Sequence, residues 1–149
     1  MSCRCSLAFA ALLSLVAVSL PTGCRRVVAA EDIVGYWSGD WGDMILEREE
    51  DGTVVGAYSH DEGILSGTFA NEAFTGWWCE VPSRQPDDDA GDVEFTFAYQ
   101  GDTLALDGRW RYGTEGDLRE DWDVTRQSGA GPAELQARID SGERCPAAP

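Results

Sequence analysis

One short frame recurs along the chain: an apolar residue, any residue, a glycine, any residue, an aromatic. It is written as Ile33-Gly35-Trp37, Val54-Gly56-Tyr58, Leu65-Gly67-Phe69, Phe74-Gly76-Trp78 and Leu106-Gly108-Trp110. In a β-strand, residues i, i+2 and i+4 project from one face. Each frame therefore sets an apolar side chain, a missing side chain and a ring on the same side. A glycine there lets the strand coil sharply, as closing a small barrel demands, and leaves a gap that a neighbouring ring can cover. The frame reads first as architecture and second as the lining of an aromatic cavity.

Strand patterns recur at short intervals, over 33–38, 43–49, 53–59, 64–69, 73–80, 92–99, 103–112 and 118–126. Turn residues separate them, and only 81–91 makes a long connection. Pro132 then opens a short helical stretch, GPAELQARID,. This spacing predicts an all-β fold: an eight-stranded antiparallel up-and-down barrel with a short C-terminal helix packed outside. A two-sheet sandwich is the competitor, but only 81–91 is long enough for the crossing it needs. The division expected is 1–30 signal peptide, 31–128 barrel, and 129–149 helix and tail.

Parity along the strands predicts an inner face crowded with rings. Tyr58, Trp78, Tyr99, Trp110 and Trp122 are the candidates for contact with a ligand. Glu120 joins them, because Leu118-Glu120-Trp122 repeats the frame with glutamate in the glycine place. Parity turns Glu120 inward, where a carboxylate needs a partner, water or a ligand. Trp77 and Cys79 fall on the outer face. A helix presenting Leu135 and Ile139 is expected to cover Trp77, pinned by a disulfide between Cys79 and Cys145.

The N-terminus carries an export signal. Arg4 precedes an apolar run, Leu7 to Leu20, and Val28-Ala29-Ala30 offers a small-residue cleavage site,. Every acidic residue lies at or after Glu31, whereas Arg4, Arg25 and Arg26 lie before it. Cleavage after Ala30 and a secreted or periplasmic protein follow, with no transmembrane span in the mature chain. The alternative is a lipoprotein anchored at Cys24 of LPTGC, where Pro21 occupies the place that a lipobox gives to an aliphatic residue,.

The net charge is −16 and the chain contains no lysine. That balance excludes a nucleic-acid partner, which requires a basic face. No cofactor motif and no metal-ligand spacing occur. Asp87, Asp89 and Asp92 lack the spacing of a calcium loop, and the one histidine, His60, sits in an acidic turn where solvent is its ordinary partner,.

The opening GYWSGDWG, then MILE, DGTVVGAY and ILSGTF, resembles the start of avidin-like barrels and, more loosely, of lipocalin-like (calycin) barrels. The resemblance spans roughly 33 to 126. It implies that Arg126, in WDVTR, packs on Trp37 and closes one end. It does not carry biotin binding, because Gly39 and Asp43 stand where avidins place asparagine and serine, and, although Tyr58 matches a biotin-contacting tyrosine, His60 stands at the next small-hydroxyl position. The function expected is non-enzymatic: an exported barrel binding a small apolar or aromatic ligand, or a protein partner. The alternative is a filled-core interaction module. Small periplasmic metalloprotease inhibitors are similar to this chain in size, eight-stranded build and single disulfide.

Overall fold

A computed structural model describes residues 25–86 and 88–146. The apolar run and Cys24 lie outside the described residues. Strands β1 (Gly35–Gly39), β2 (Gly42–Arg48), β3 (Val54–Tyr58), β4 (Ile64–Ala70), β5 (Ala73–Cys79), β6 (Ala90–Gln100), β7 (Thr103–Trp110) and β8 (Arg119–Arg126) are followed by helix α1 (Ala133–Asp140). Each strand pairs antiparallel with the next, and β1 pairs with β8, so the sheet closes as an up-and-down barrel. Among the described residues no helix is long and apolar enough to cross a membrane.

The repeated frame does what its parity requires. Gly67 and Gly76 face each other across β4 and β5. A Cβ on Gly67 would lie 2.2 Å from the Thr75 carbonyl oxygen, and one on Gly76 2.6 Å from the Phe74 ring. The strands approach that closely only because both side chains are absent, and the Phe74 ring covers the bend. Phe74 in turn stacks on Phe95 at 5.4 Å.

The barrel interior is filled. Trp37, Tyr58, Phe74, Phe95 and Phe97 are fully buried, in one cluster with Met44, Leu46 and Leu65. Of the two readings of the frame, the interior follows the architectural one: its rings pack on each other edge to face, as the quadrupoles of aromatic pairs favour,.

The outside is covered in two places. Leu135 and Ile139 of α1 pack on Ile45, Val55 and Ala57, the outward residues of β2 and β3. The helix therefore does not sit over Trp77, as the sequence suggested. The apolar outer patch of β2 and β3 attracts it. Trp77 is buried instead with Ile64, Cys79 and Ala90, beneath the segment that follows the helix. Cys145 of that segment is bonded to Cys79.

Candidate functional site at the barrel mouth

The two ends of the barrel differ. At one end the chain enters through Val28 and Ile33, both buried in the main core. The Trp37 indole donates to the Ile33 carbonyl at 3.0 Å. The Arg126 guanidinium lies 5.7 Å from the Trp37 ring, as expected of a closing pair. Its neighbour is Gly35, where any Cβ would collide with it at 2.1 Å. Burial holds the Arg126 pKa below its usual value, with the charges of Asp32 and Tyr99 opposing that shift.

The opposite end is open. The β1–β2, β3–β4, β5–β6 and β7–β8 turns frame a pocket of about 140 Å3, lined by Trp41, His60, Asp61, Trp78, Glu80, Asp89, Trp110, Tyr112 and Trp122. A water occupies about 30 Å3 of liquid, so the pocket takes a group of several heavy atoms rather than a whole drug-sized molecule. Its rings meet nearly at right angles: Trp41 on Trp110 at 5.4 Å and 87°, Trp78 on Trp110 at 5.3 Å and 89°. The N–H groups of Trp41, Trp78 and Trp110 are already used. Trp41 donates to the Asp121 carbonyl at 2.8 Å, Trp110 to the Asp121 carboxylate at 2.6 Å, and Trp78 to the Arg111 carbonyl at 3.0 Å. What the rings still offer is π surface, part of which, on Trp110 and Tyr112, the Arg119 guanidinium already covers.

The rim is acidic. The buried Tyr58 hydroxyl donates to Glu80 at 2.8 Å, which fixes that carboxylate at the pocket floor. Burial pushes the Glu80 carboxyl above the usual range, and the Tyr58 hydrogen bond opposes that shift. Burial first, then the Glu80 charge, raises Tyr58 well above a free phenol. His60, Asp61 and Glu80 each bring one donor atom within 4.8 Å of the others, a spacing that accommodates a small cation. Trp41 packs edge-on against the His60 ring at 4.7 Å. Among the described residues, no arginine forms an ion pair with Glu80, Asp61 or Asp89.

The β3–β4 turn that carries His60 and Asp61 is strained. Asp61 (φ 38°) and Glu62 (φ 50°) are both left-handed, a conformation that non-glycine residues rarely adopt,. Arg138 of α1 holds the turn, donating to the carbonyls of Tyr58 and Gly63, each at 3.2 Å, and to that of Glu62. The Val81 amide adds a bond to the Asp61 carbonyl at 3.0 Å.

Of the residues named from the sequence, Trp78, Trp110 and Trp122 meet at this mouth, with Tyr58 beneath them. Tyr99 does not join them. It lies at the closed end, where the Arg26 guanidinium covers its ring at 3.6 Å. Glu120 does not point inward. The pairing of β7 with β8 slips between Gly108↔Trp122 and Trp110↔Arg119, so two residues of β8 oppose one of β7. This bulge breaks the parity. Glu120 turns out to solvent, and it is the Asp121 carboxylate, itself exposed, that accepts from the Trp110 indole. The acidic loop divides: Asp92 pairs with Arg111, and Asp89, which lines the pocket, accepts from the Ser83 amide at 2.8 Å.

Sequence reasoning missed Trp41, Asp61, Glu80 and Asp121, and assigned His60 to solvent. The signal for Trp41 was present: a tryptophan inside the GDWG turn has no strand face to fill. No protein-family model, curated protein or solved structure matches this chain.

Proposed function

We propose that the protein is a non-catalytic binding module whose mouth holds a small organic cation of the alkylammonium type. One observation carries the reading: the same 140 Å3 pocket combines aromatic faces with carboxylates that no arginine neutralises. Aromatic faces attract cations by about 0.5–2 kcal/mol, more as water is excluded. The chain's own Arg119 supports the point, because its guanidinium lies over Trp110 at 4.6 Å and Tyr112 at 5.0 Å. The raised pKa of Glu80 supports it as well: burial disfavours its charge, the Tyr58 hydrogen bond and His60 oppose that only in part, and an arriving cation would offset more of it,.

Action outside the cytoplasm belongs to the same reading, supported by the apolar N-terminal run and the Cys79–Cys145 disulfide,. Kinship with avidin-like and lipocalin-like barrels is part of it too, supported by the Gly35-x-Trp37 start packed beside Arg126.

The test is a titration followed by tryptophan fluorescence. A trimethylammonium alcohol is compared with its neutral tert-butyl counterpart, which has the same shape. The cation is expected to bind at least about tenfold more tightly, or 1.4 kcal/mol. Equal affinities would instead favour an apolar ligand. Binding of neither would favour the second reading, an interaction module acting through its surface, which the filled interior supports.

A further inference from the structure

We propose that export processing leaves Arg25–Ala30 in the mature protein, where these residues form a strap sealing the barrel end opposite the tryptophan mouth. The inference concerns the closed end and does not rest on what the mouth binds. The strap is built into the fold. Val28 is 3% exposed and lies in the main core cluster with Ile33 and Trp37. Its amide donates to the Glu72 carboxylate at 2.9 Å, and the other Glu72 oxygen pairs with Arg25 at 3.0 Å. The Arg26 guanidinium covers the Tyr99 ring. Ala29 and Asp32 close a reciprocal turn: the Ala29 amide donates to the Asp32 carboxylate at 2.9 Å, and the Asp32 amide donates to the Ala29 carbonyl at 3.0 Å.

Glu72 supplies an independent sign. It lies with Asn71 in the two-residue turn between β4 and β5, and both have positive φ, 53° for Asn71 and 62° for Glu72. Such a turn favours Asn-Gly. A glutamate there opposes its backbone preference, and what it gains is a carboxylate that reaches the strap. Cleavage after Ala30 would remove the Val28 plug, both partners of Glu72 and the cover of Tyr99. Processing at Cys24 would keep them all. Because the strap enters at the closed end, an anchor upstream of Arg25 would also present the mouth away from the membrane.

The full chain is exported through its own signal in a bacterial host, and the product is characterised by intact mass and N-terminal peptide sequencing. A first residue at or before Arg25 is expected. Acyl mass on an N-terminal Cys24 would assign the lipid anchor, and an unmodified upstream start would support the strap without one. A folded product beginning at Glu31 would overturn the proposal. In parallel, chains beginning at Arg25 and at Glu31 are exported behind one common signal and melted. The Glu31 chain is expected to melt lower by on the order of 10 °C, and equal melting temperatures would sink the idea. If the shorter chain does not fold, Val28→Ala in the full chain tests the same contact. A drop of a few degrees is expected, and no change would overturn the strap.

Discussion

The closed and open ends of this barrel are made of the same materials and finished in opposite ways. Each has tryptophan, tyrosine and carboxylates. At the closed end the chain supplies most of its own partners: Trp37 donates to Ile33, Arg26 covers Tyr99, and Glu72 accepts from Val28 and pairs with Arg25, although the buried Arg126 Nη1 has no hydrogen-bond partner among the described residues. At the open end the indole N–H groups of Trp41, Trp78 and Trp110 are satisfied, but ring faces and the Glu80 carboxylate look into a pocket. On the proposed reading, the contrast separates stabilising aromatic residues from recognising ones. An aromatic cluster stabilises where the chain closes over it, and it recognises where it leaves charge and π surface uncompensated.

The largest expected effect breaks the closed end. Trp37→Ala removes a fully buried indole beneath Arg126, and such truncations cost about 3–5 kcal/mol,. In a domain of this size that lowers the melting temperature by on the order of 10–20 °C. Differential scanning calorimetry of the disulfide-intact protein measures it. A loss of only a degree or two would mean that the closed end is not where the barrel is held together.

The mouth should respond in the reverse sense. Glu80→Gln keeps an acceptor for the Tyr58 hydroxyl and removes a carboxylate whose ionised form burial disfavours. Stability should be unchanged or slightly higher. Affinity for the trimethylammonium probe should fall about tenfold, roughly 1.4 kcal/mol. If the fall were as large for the neutral tert-butyl probe, the carboxylate would be shaping the pocket rather than attracting charge.

The fold was legible because the barrel obeys a period of two almost everywhere. Strand spacing and the covered glycines follow from local chemistry, and the Cys79–Cys145 pairing from there being just two cysteines after Cys24. The site was only half legible, for reasons that can be named. Parity placed Trp78, Trp110 and Trp122 on the inner face, but depth along the barrel is set by stagger between strands, which parity does not carry. Tyr99 thus lies at the end away from the other candidate rings. The bulge opposite Arg109 exchanged Glu120 for Asp121, and nothing in LREDW announces a bulge. Asp61 and Glu80 come together across a turn and a long loop, a meeting that only the closed sheet defines. The helix went to β2 and β3 because Ile45, Val55 and Ala57 form an outward apolar patch, and inward parity says nothing of such a patch.

A third prediction tests how the outside of the barrel reaches the mouth. Arg138 lies on α1, yet it donates to three carbonyls around the strained β3–β4 turn. Arg138→Ala frees that turn without touching a lining side chain. Its stability cost should be modest, about 1–3 kcal/mol for hydrogen bonds from a charged group. Probe affinity should fall a few-fold, and Arg138→Lys should recover part of it. Amide exchange at His60–Gly63 should quicken more than exchange across β6 and β7. Faster exchange everywhere would make Arg138 a general stabiliser rather than a positioning residue.

The smallest effect lies on the bare outer wall, and it sharpens the comparison by showing acid that has no task at the mouth. Asp107 and Asp123 face each other across β7 and β8. Partial desolvation first, then the charges of Asp107 and Asp40, raises the Asp123 carboxyl above its usual value. A carboxyl raised on folding favours the protonated native state. The stability it contributes is present below the unfolded pKa and is lost as the pH rises through the folded one. At neutral pH the pair is therefore a net cost, since like charges directly opposite on a sheet destabilise by a few tenths of a kcal/mol or more. Asp107→Asn should raise the melting temperature by about 1–2 °C at pH 7 and low salt. The gain should shrink in high salt and disappear once the pH falls below the carboxylate range. A gain that persisted in acid would come from packing, and this stretch of acidic surface would then have no electrostatic cost to explain.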